Sequence, residues 1–371
     1  MSKQITDQIT KPTGFCNKGN YFSGANTKDG FISYYDNIFN DRDNDKIVNI
    51  LGGPGTGKSY FMKRLAEEAE SLGIECERYF CSSDPASLDA LRLYSPKTGK
   101  SMGVCDATEP HPRSLSTPVV IGDIYNVCTF LNREVLIKSK NEIFELQEQK
   151  KKYYSNAYAL LKAAGDLKLA KLKLLKDTVD LNAIRSSIKK TIGKTIANTP
   201  KRHEIIKRPI AANSMYGKHT LKPQFFNANR VFTVENTYGI GEIYFSEAIN
   251  FANDNKISVF ISPDPTVPEL ANCLYMPDAS ITITLMSPDV SGHKINTDKF
   301  KCSDSFKCIR NTLKKCNEAY KNIMDQAYSE LAKAKDAHFS LESIYTASMN
   351  IKEKDKSDEI AVKRFAHFLT E

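Results

Sequence analysis

Gly52-Gly53-Pro54-Gly55-Thr56-Gly57-Lys58-Ser59 is a complete G-x-x-x-x-G-K-[ST] string, and the residues on either side of it decide the fold class. Lys46-Ile47-Val48-Asn49-Ile50-Leu51 before it reads as a short apolar strand, and Tyr60 to Ala69 after it carries apolar residues at helical spacing. Strand, glycine loop and helix in that order make a phosphate-binding unit. The glycines let successive backbone N–H groups curl around a phosphate, and the helix N-terminus adds its partial positive charge. Gly52, Gly53, Pro54, Gly55, Thr56, Gly57, Lys58, Ser59 and the following Tyr60 are therefore the expected nucleotide contacts. Lys58 is the cation for the β- and γ-phosphates and Ser59 a ligand to Mg²⁺, so the expected cofactors are ATP and Mg²⁺.

Laid against itself, the chain repeats. Ala25-Asn26-Thr27-Lys28-Asp29-Gly30 returns as Ala212-Asn213-Ser214-Met215-Tyr216-Gly217 at an offset of 187. Lys46 to Ile50 returns as Arg230 to Val234, and Gly55, Gly57, Tyr60 and Phe61 match Gly239, Gly241, Tyr244 and Phe245, at 184. Ser82-Ser83-Asp84-Pro85 returns as Ser262-Pro263-Asp264-Pro265 at 180, and Ala157, Tyr158, Leu161 and Ala164 match Ala327, Tyr328, Leu331 and Ala334 at 170. An order that is kept while the offset only shrinks is the mark of a duplication followed by deletions.

The second copy has lost the chemistry of the first. Lys58 aligns with Glu242 and Ser59 with Ile243, a carboxylate where a phosphate needs a cation and an alkyl chain where Mg²⁺ needs an oxygen. Asp84-Pro85 and Asp264-Pro265 survive in both copies and read as helix starts, an Asp cap followed by Pro. In the run Met102-Gly103-Val104-Cys105-Asp106, the aspartate at the strand end is the expected second magnesium ligand, and its counterpart is near Leu285. Lys58, Asp106 and Glu109 are the expected catalytic residues, with Glu109 orienting the attacking water, Ser59 and Asp106 on the metal, and His111 a loop residue.

The 371 residues suffice for two domains. No run approaches the ~18 apolar residues of a membrane span, and the start of the chain lacks an apolar signal core, so a cytoplasmic protein without a membrane partner is expected. Nine cysteines without paired C-x-x-C spacing read as reduced thiols. Between Lys150 and Arg208 sixteen lysines and arginines face four acids, an excess of 12 against a whole-chain net charge of +8. Leucine and alanine spacing from Leu160 to Leu175 predicts two antiparallel helices with a turn near Gly165-Asp166. Such a basic hairpin, 150–208, could face an acidic partner or nucleic acid, or simply water. Asn198-Thr199-Pro200-Lys201 reads as the linker. The expected layout is a tail to 17, a core at 18–131, the basic hairpin and linker at 132–199, a degenerate core at 200–304 and a helical appendage at 305–371.

The Gly52–Ser59 loop, Asn26-Thr27-x-x-Gly30, Cys81-Ser82-Ser83-Asp84-Pro85, Asp106-Ala107-Thr108-Glu109-Pro110-His111 and the tandem layout together resemble an uncharacterised family of P-loop ATPases of spore-forming firmicute bacteria. The resemblance implies a P-loop NTPase fold in each half, with nucleotide held by the first loop. It also implies a second loop in the second half, from which Asn236-Thr237-Tyr238-Gly239-Ile240-Gly241-Glu242-Ile243 departs. The fold expected is α/β, two duplicated P-loop NTPase-type domains, each a mostly parallel sheet flanked by helices and carrying a helical hairpin. Three functions remain open: a Mg²⁺-dependent ATPase with a regulatory second half, a nucleotide-kinase-type phosphotransferase, and a non-catalytic nucleotide sensor. Arg64, Arg92, Arg113, Arg133 and Arg202 are the candidates for an arginine finger.

Overall fold

The computed structural model describes residues 19–110, 117–197, 199–200, 204–222, 224–285 and 292–371. The expected tail, His111, Arg113, Arg202 and the linker residues Asn198 and Lys201 lie outside them.

The first half runs β1 (Asn20–Phe22), β2 (Gly24–Thr27), β3 (Gly30–Ser33), α1 (Tyr35–Ile38), β4 (Lys46–Leu51), α2 (Lys58–Ser71), β5 (Glu75–Phe80), β6 (Leu88–Tyr94), β7 (Ser101–Asp106), β8 (Gly122–Asn126), α3 (Arg133–Lys138) and α4 (Lys140–Lys176). The second half continues with α5 (Leu181–Ile188), α6 (Lys194–Ile196), β9 (Ile205–Lys207), β10 (Ala211–Ser214), β11 (Gly217–Thr220), β12 (Arg230–Val234), α7 (Ile240–Asp254), β13 (Val259–Pro263), β14 (Ala271–Met276), β15 (Ile281–Thr284), β16 (His293–Ile295), α8 (Ser303–Ala347) and α9 (Ile351–Phe368).

Each half forms a six-stranded sheet, ordered β1-β5-β6-β7-β4-β8 and β9-β13-β14-β15-β12-β16. In both, the third strand pairs antiparallel with its two neighbours and the remaining pairs are parallel. The fold is α/β, with two mostly parallel sheets flanked by helices in the arrangement a duplication leaves. Register makes the correspondence residue-specific: Asn49 lies opposite Cys105 and Thr233 opposite Thr284, so Leu285 takes the place of Asp106.

The Asn-Thr/Ser-x-x-Gly segments are the two small hairpins, β2/β3 and β10/β11. Thr27 Oγ1 donates to Gly30 O at 2.8 Å and accepts the Asp29 N–H, and Ser214 Oγ does the same with Gly217 O at 2.7 Å and the Tyr216 N–H. Gly30 and Gly217 take φ of 93° and 92°, a left-handed conformation open to glycine at little cost. The asparagines bind each other across the copies: Asn26 Nδ2 donates to Asn213 O at 2.8 Å and Asn213 Nδ2 to Asn26 O at 3.0 Å. Tyr158 and Tyr328, themselves a repeat pair, donate to the two asparagine Oδ1 atoms at 2.9 and 3.0 Å.

Alternation along the strands assigns the layers. Val48, Ile50, Leu91 and Val104 face α2 and the C-terminal α9, whereas Ile47, Tyr79, Ala90 and Cys105 face Phe225, Phe260 and Cys273 of the second sheet. The two sheets thus share a core between them, and each has helices on its outer face.

Two expectations change. No turn occurs at Gly165-Asp166: α4 is one helix of 37 residues, packed antiparallel along the 45-residue α8, with Tyr153 beside Lys333 and Lys171 beside Asn317. A glycine inside a helix costs about 1 kcal/mol, a penalty offset here by the buried seam of Leu161, Ala164, Met324 and Ala327. The missing side chain also makes room for the Lys28 stem, which a Cβ on Gly165 would meet at 2.7 Å. Second, Asp84-Pro85 and Asp264-Pro265 start no helix. They form the turns joining antiparallel strands, where Asp84 Oδ1 accepts the Ala86 N–H and Asp264 Oδ1 those of Thr266 and Val267.

Among the described residues no helix is long and apolar enough to cross a membrane, and eight cysteines are free.

Candidate functional site

The first loop lies between the end of β4 and the start of α2. Gly55 and Gly57 adopt φ of 68° and 77°, the left-handed conformations that turn consecutive N–H groups toward one point. Neither Gly52 nor Gly53 has room for a side chain: a Cβ on Gly52 would lie 2.3 Å from Val127, and one on Gly53 2.6 Å from the Tyr345 ring.

Lys58 Nζ turns back over the loop, donating to Gly52 O at 2.6 Å and Gly53 O at 2.8 Å, and lies 3.4 Å from Asp106 Oδ2. Strand pairing brings this about, because Asp106 at the end of β7 sits opposite Ile50 at the end of β4. Burial raises the Asp106 pKa, Lys58 opposes the shift and Asp89 adds to it. Asp106 Oδ1 accepts from the Thr108 N–H and hydroxyl, so the carboxylate is fixed from behind. Ser59 Oγ accepts the Leu88 N–H at 2.8 Å, which ties the loop to β6. Thr56 Oγ1 donates to Gly53 O at 2.8 Å and locks the loop internally. Tyr60 is 58 % exposed on the outer side of α2. Glu109 is exposed on the turn after β7, three positions beyond Asp106. Of the arginine-finger candidates, Arg92 is buried in an ion pair with Glu77 at 3.3 Å and is unable to reach the loop.

The residues present suit a polyphosphate with a divalent cation: a glycine cradle at a helix N-terminus, one ammonium, one hydroxyl and one strand-end carboxylate.

Sequence reasoning missed several neighbours. Asp89, 6 % exposed, accepts from Ser23 Oγ at 2.7 Å, and the Tyr35 hydroxyl donates to the main-chain oxygens of both Asp89 and Asp106. Its counterpart by sheet register is Asn272, so a second carboxylate is lost in the copy where Asp106 becomes Leu285. More unexpected is the C-terminal arm. Thr346 Oγ1 donates to Gly55 O at 3.1 Å, the Tyr345 ring lies on Gly53, and Glu342 stands over Gly55. A hydrogen bond from His338, then the Gly55 N–H and the Lys58 charge, hold Glu342 below the usual carboxylate range against partial burial. From α9, Lys354 reaches the loop as well: a Cβ on Gly57 would come within 2.9 Å of its Nζ. Lys354 is 3 % exposed and bonds Asp358, which accepts from the Tyr125 hydroxyl at 2.7 Å. At the repeat offset of 170 the counterparts of Lys354 and Asp358 are Ile184 and Ile188, and register makes Ile295 the counterpart of Tyr125. A polar network at the intact loop is thus an isoleucine cluster in the core of the second copy. The signal that could have revealed it is that offset, extended past residue 334.

At the second loop Lys58, Ser59 and Asp106 are replaced by Glu242, Ile243 and Leu285. Ile243 and Leu285 pack against the core and Glu242 is bound by Lys168 at 3.3 Å. Comparisons of this chain with protein-family models, with curated proteins and with solved structures found no match.

Proposed function

We propose that this protein binds ATP and Mg²⁺ at Gly52–Ser59 and hydrolyses the nucleotide there, with the second half as a non-catalytic regulatory or docking copy. The observation that carries the reading is the meeting of Lys58 and Asp106, 48 positions apart in sequence, at 3.4 Å beside a loop with left-handed glycines. The loss of Lys58, Ser59 and Asp106 together in the second copy supports the same grouping.

In this reading the loop N–H groups and the α2 N-terminus hold the phosphates, and Lys58 exchanges its contacts with Gly52 O and Gly53 O for phosphate oxygens. Ser59 and Asp106 hold the metal, whose charge supplies stabilisation to the transferring phosphoryl group. Thr108, through its N–H and hydroxyl, keeps Asp106 oriented. Glu109 serves to orient water. The arm that carries Glu342, Tyr345 and Thr346 excludes solvent from the loop's outer side.

Phosphate release from Mg·ATP tests the proposal. Lys58→Ala is expected to reduce turnover by at least ~100-fold, as removal of a main charge-stabilising group does, while the protein stays folded. Asp106→Asn should lower the rate far more than the affinity. Undiminished hydrolysis by Lys58→Ala would end the reading, and phosphate transfer only in the presence of an acceptor would replace it with the kinase.

A further inference from the structure

Beside the degenerate loop lies a cavity of about 300 Å³, at the lower end of small-molecule sites. It is walled by α4, α8, α7 and the β10/β11 hairpin, and its lining is charged. Lys168 Nζ sits between Asp264 Oδ2 at 2.8 Å and Glu242 Oε1 at 3.3 Å. Glu242 is 5 % exposed, and its second oxygen, Oε2, is buried with no hydrogen-bond partner. A buried carboxylate oxygen left without a donor is destabilising, so a ligand that brings a donor is favoured here. A donor for an anion lines the same cavity. Among the described residues Lys171 Nζ donates to one acceptor, Asn317 Oδ1 at 3.0 Å, and an ammonium carries three N–H groups. Burial lowers the Lys171 pKa, with Glu242 opposing the shift. Lys218, exposed at the rim, adds a second cation.

Glu242 Oε2 and the Lys171 stem both lie beside Gly239, where a Cβ would come 3.6 Å from the first and 3.3 Å from Lys171 Cε. An unmatched acceptor and a cation on the wall of one cavity suit a ligand that carries both a cationic donor and an anion. A polyphosphate does not satisfy the buried carboxylate, and Ile243 and Leu285 leave no oxygen for its metal. We propose that this cavity is a binding site for a small zwitterion of the amino-acid class, its ammonium on Glu242 Oε2 and its carboxylate on Lys171 and Lys218. The site is independent of nucleotide chemistry at the first loop.

Isothermal titration of the full chain, without nucleotide, with each of the standard L-amino acids and the matching 2-hydroxy acids tests the assignment. At least one amino acid is expected to bind one per chain, and its hydroxy analogue about tenfold or more weakly because it lacks the ammonium. Glu242→Gln and, at an exposed position where folding is not at stake, Lys218→Ala should each weaken binding by a similar factor. Absence of binding by every amino acid at millimolar concentration overturns the proposal. So does binding that both variants leave unchanged, or a hydroxy acid that binds as tightly as its amino acid.

Discussion

At the scale of single residues, the two copies act as an internal control. Lys354, Asp358 and Tyr125 form a buried polar chain behind the intact loop, where Ile184, Ile188 and Ile295 fill the corresponding space in the second half. Both solutions fold, so the polar one is not required for packing. Removing one partner of a buried ion pair strands the other, at a cost of about 3–5 kcal/mol. Lys354→Met is accordingly expected to lower stability by that amount in chemical denaturation, and Lys354→Met with Asp358→Leu to recover most of it. Because Lys354 abuts Gly57, the double variant should still lose roughly tenfold or more in turnover through a loosened loop; full activity in a stable double variant would reduce the network to packing.

At the scale of elements, the end of α8 decides access to the loop. Glu342 places a carboxylate near the Gly55 N–H and Lys58, groups that a phosphate also needs. Charges about 4 Å apart repel by about 1 kcal/mol in a watery setting. Glu342→Ala should therefore raise ATP affinity about fivefold in equilibrium titration; an unchanged affinity would show that the carboxylate does not compete, and a weaker one that it helps. The lysines of α4 divide by face. Lys168 and Lys171 belong to the buried cluster at the second loop, whereas Lys151, Lys152, Lys162 and Lys173 are exposed. If the exposed set lies along nucleic acid, affinity must fall steeply with salt, and replacing those four by Gln should flatten the log–log slope by roughly 3–4. No DNA or RNA binding at low salt would assign them to solvation.

At the scale of the whole molecule, the halves exchange their helical arms. From the first core α4 crosses to the second, where α5 packs on α7, and from the second core α8 returns to the first, where α9 packs on α2. Matched backbone bonds fasten each junction to the other copy: Asn350 N–H to Phe130 O and Asn132 N–H to Ser348 O on one side, Asp180 N–H to Phe300 O and Cys302 N–H to Thr178 O on the other. The first core is therefore completed by the last residues of the chain. Phe365, fully buried against Phe61, illustrates the dependence. Phe365→Ala should cost about 3–5 kcal/mol and weaken nucleotide binding in a core that ends more than two hundred residues earlier. With one intact loop per chain, a slowly hydrolysed ATP analogue should saturate at one equivalent; two equivalents would mean that Glu242 does not exclude phosphate.

Local pattern brings the loop, its strand and helix, the strand-end Asp106 and the duplication into view, because glycine spacing, apolar runs and repeated strings are properties of neighbouring residues. Such patterns mislead where neighbours are not the deciding partners. Gly165 has the local character of a turn, but the seam with α8, more than 150 positions away, holds α4 straight. Asp84-Pro85 has that of a helix start, but the residues from Leu88 onward pair with β5 and are held as a strand. Asn26 and Asn213 repeat visibly, yet only the packed halves show each donating to the other's main chain. Sequence alone determined which loop has a cation and which has a carboxylate. Which arm covers which loop, and hence that Lys354 and Glu342 stand at the first and Lys168 at the second, was decided by the exchange of helices, a long-range pairing whose energy lies in buried contacts between distant segments.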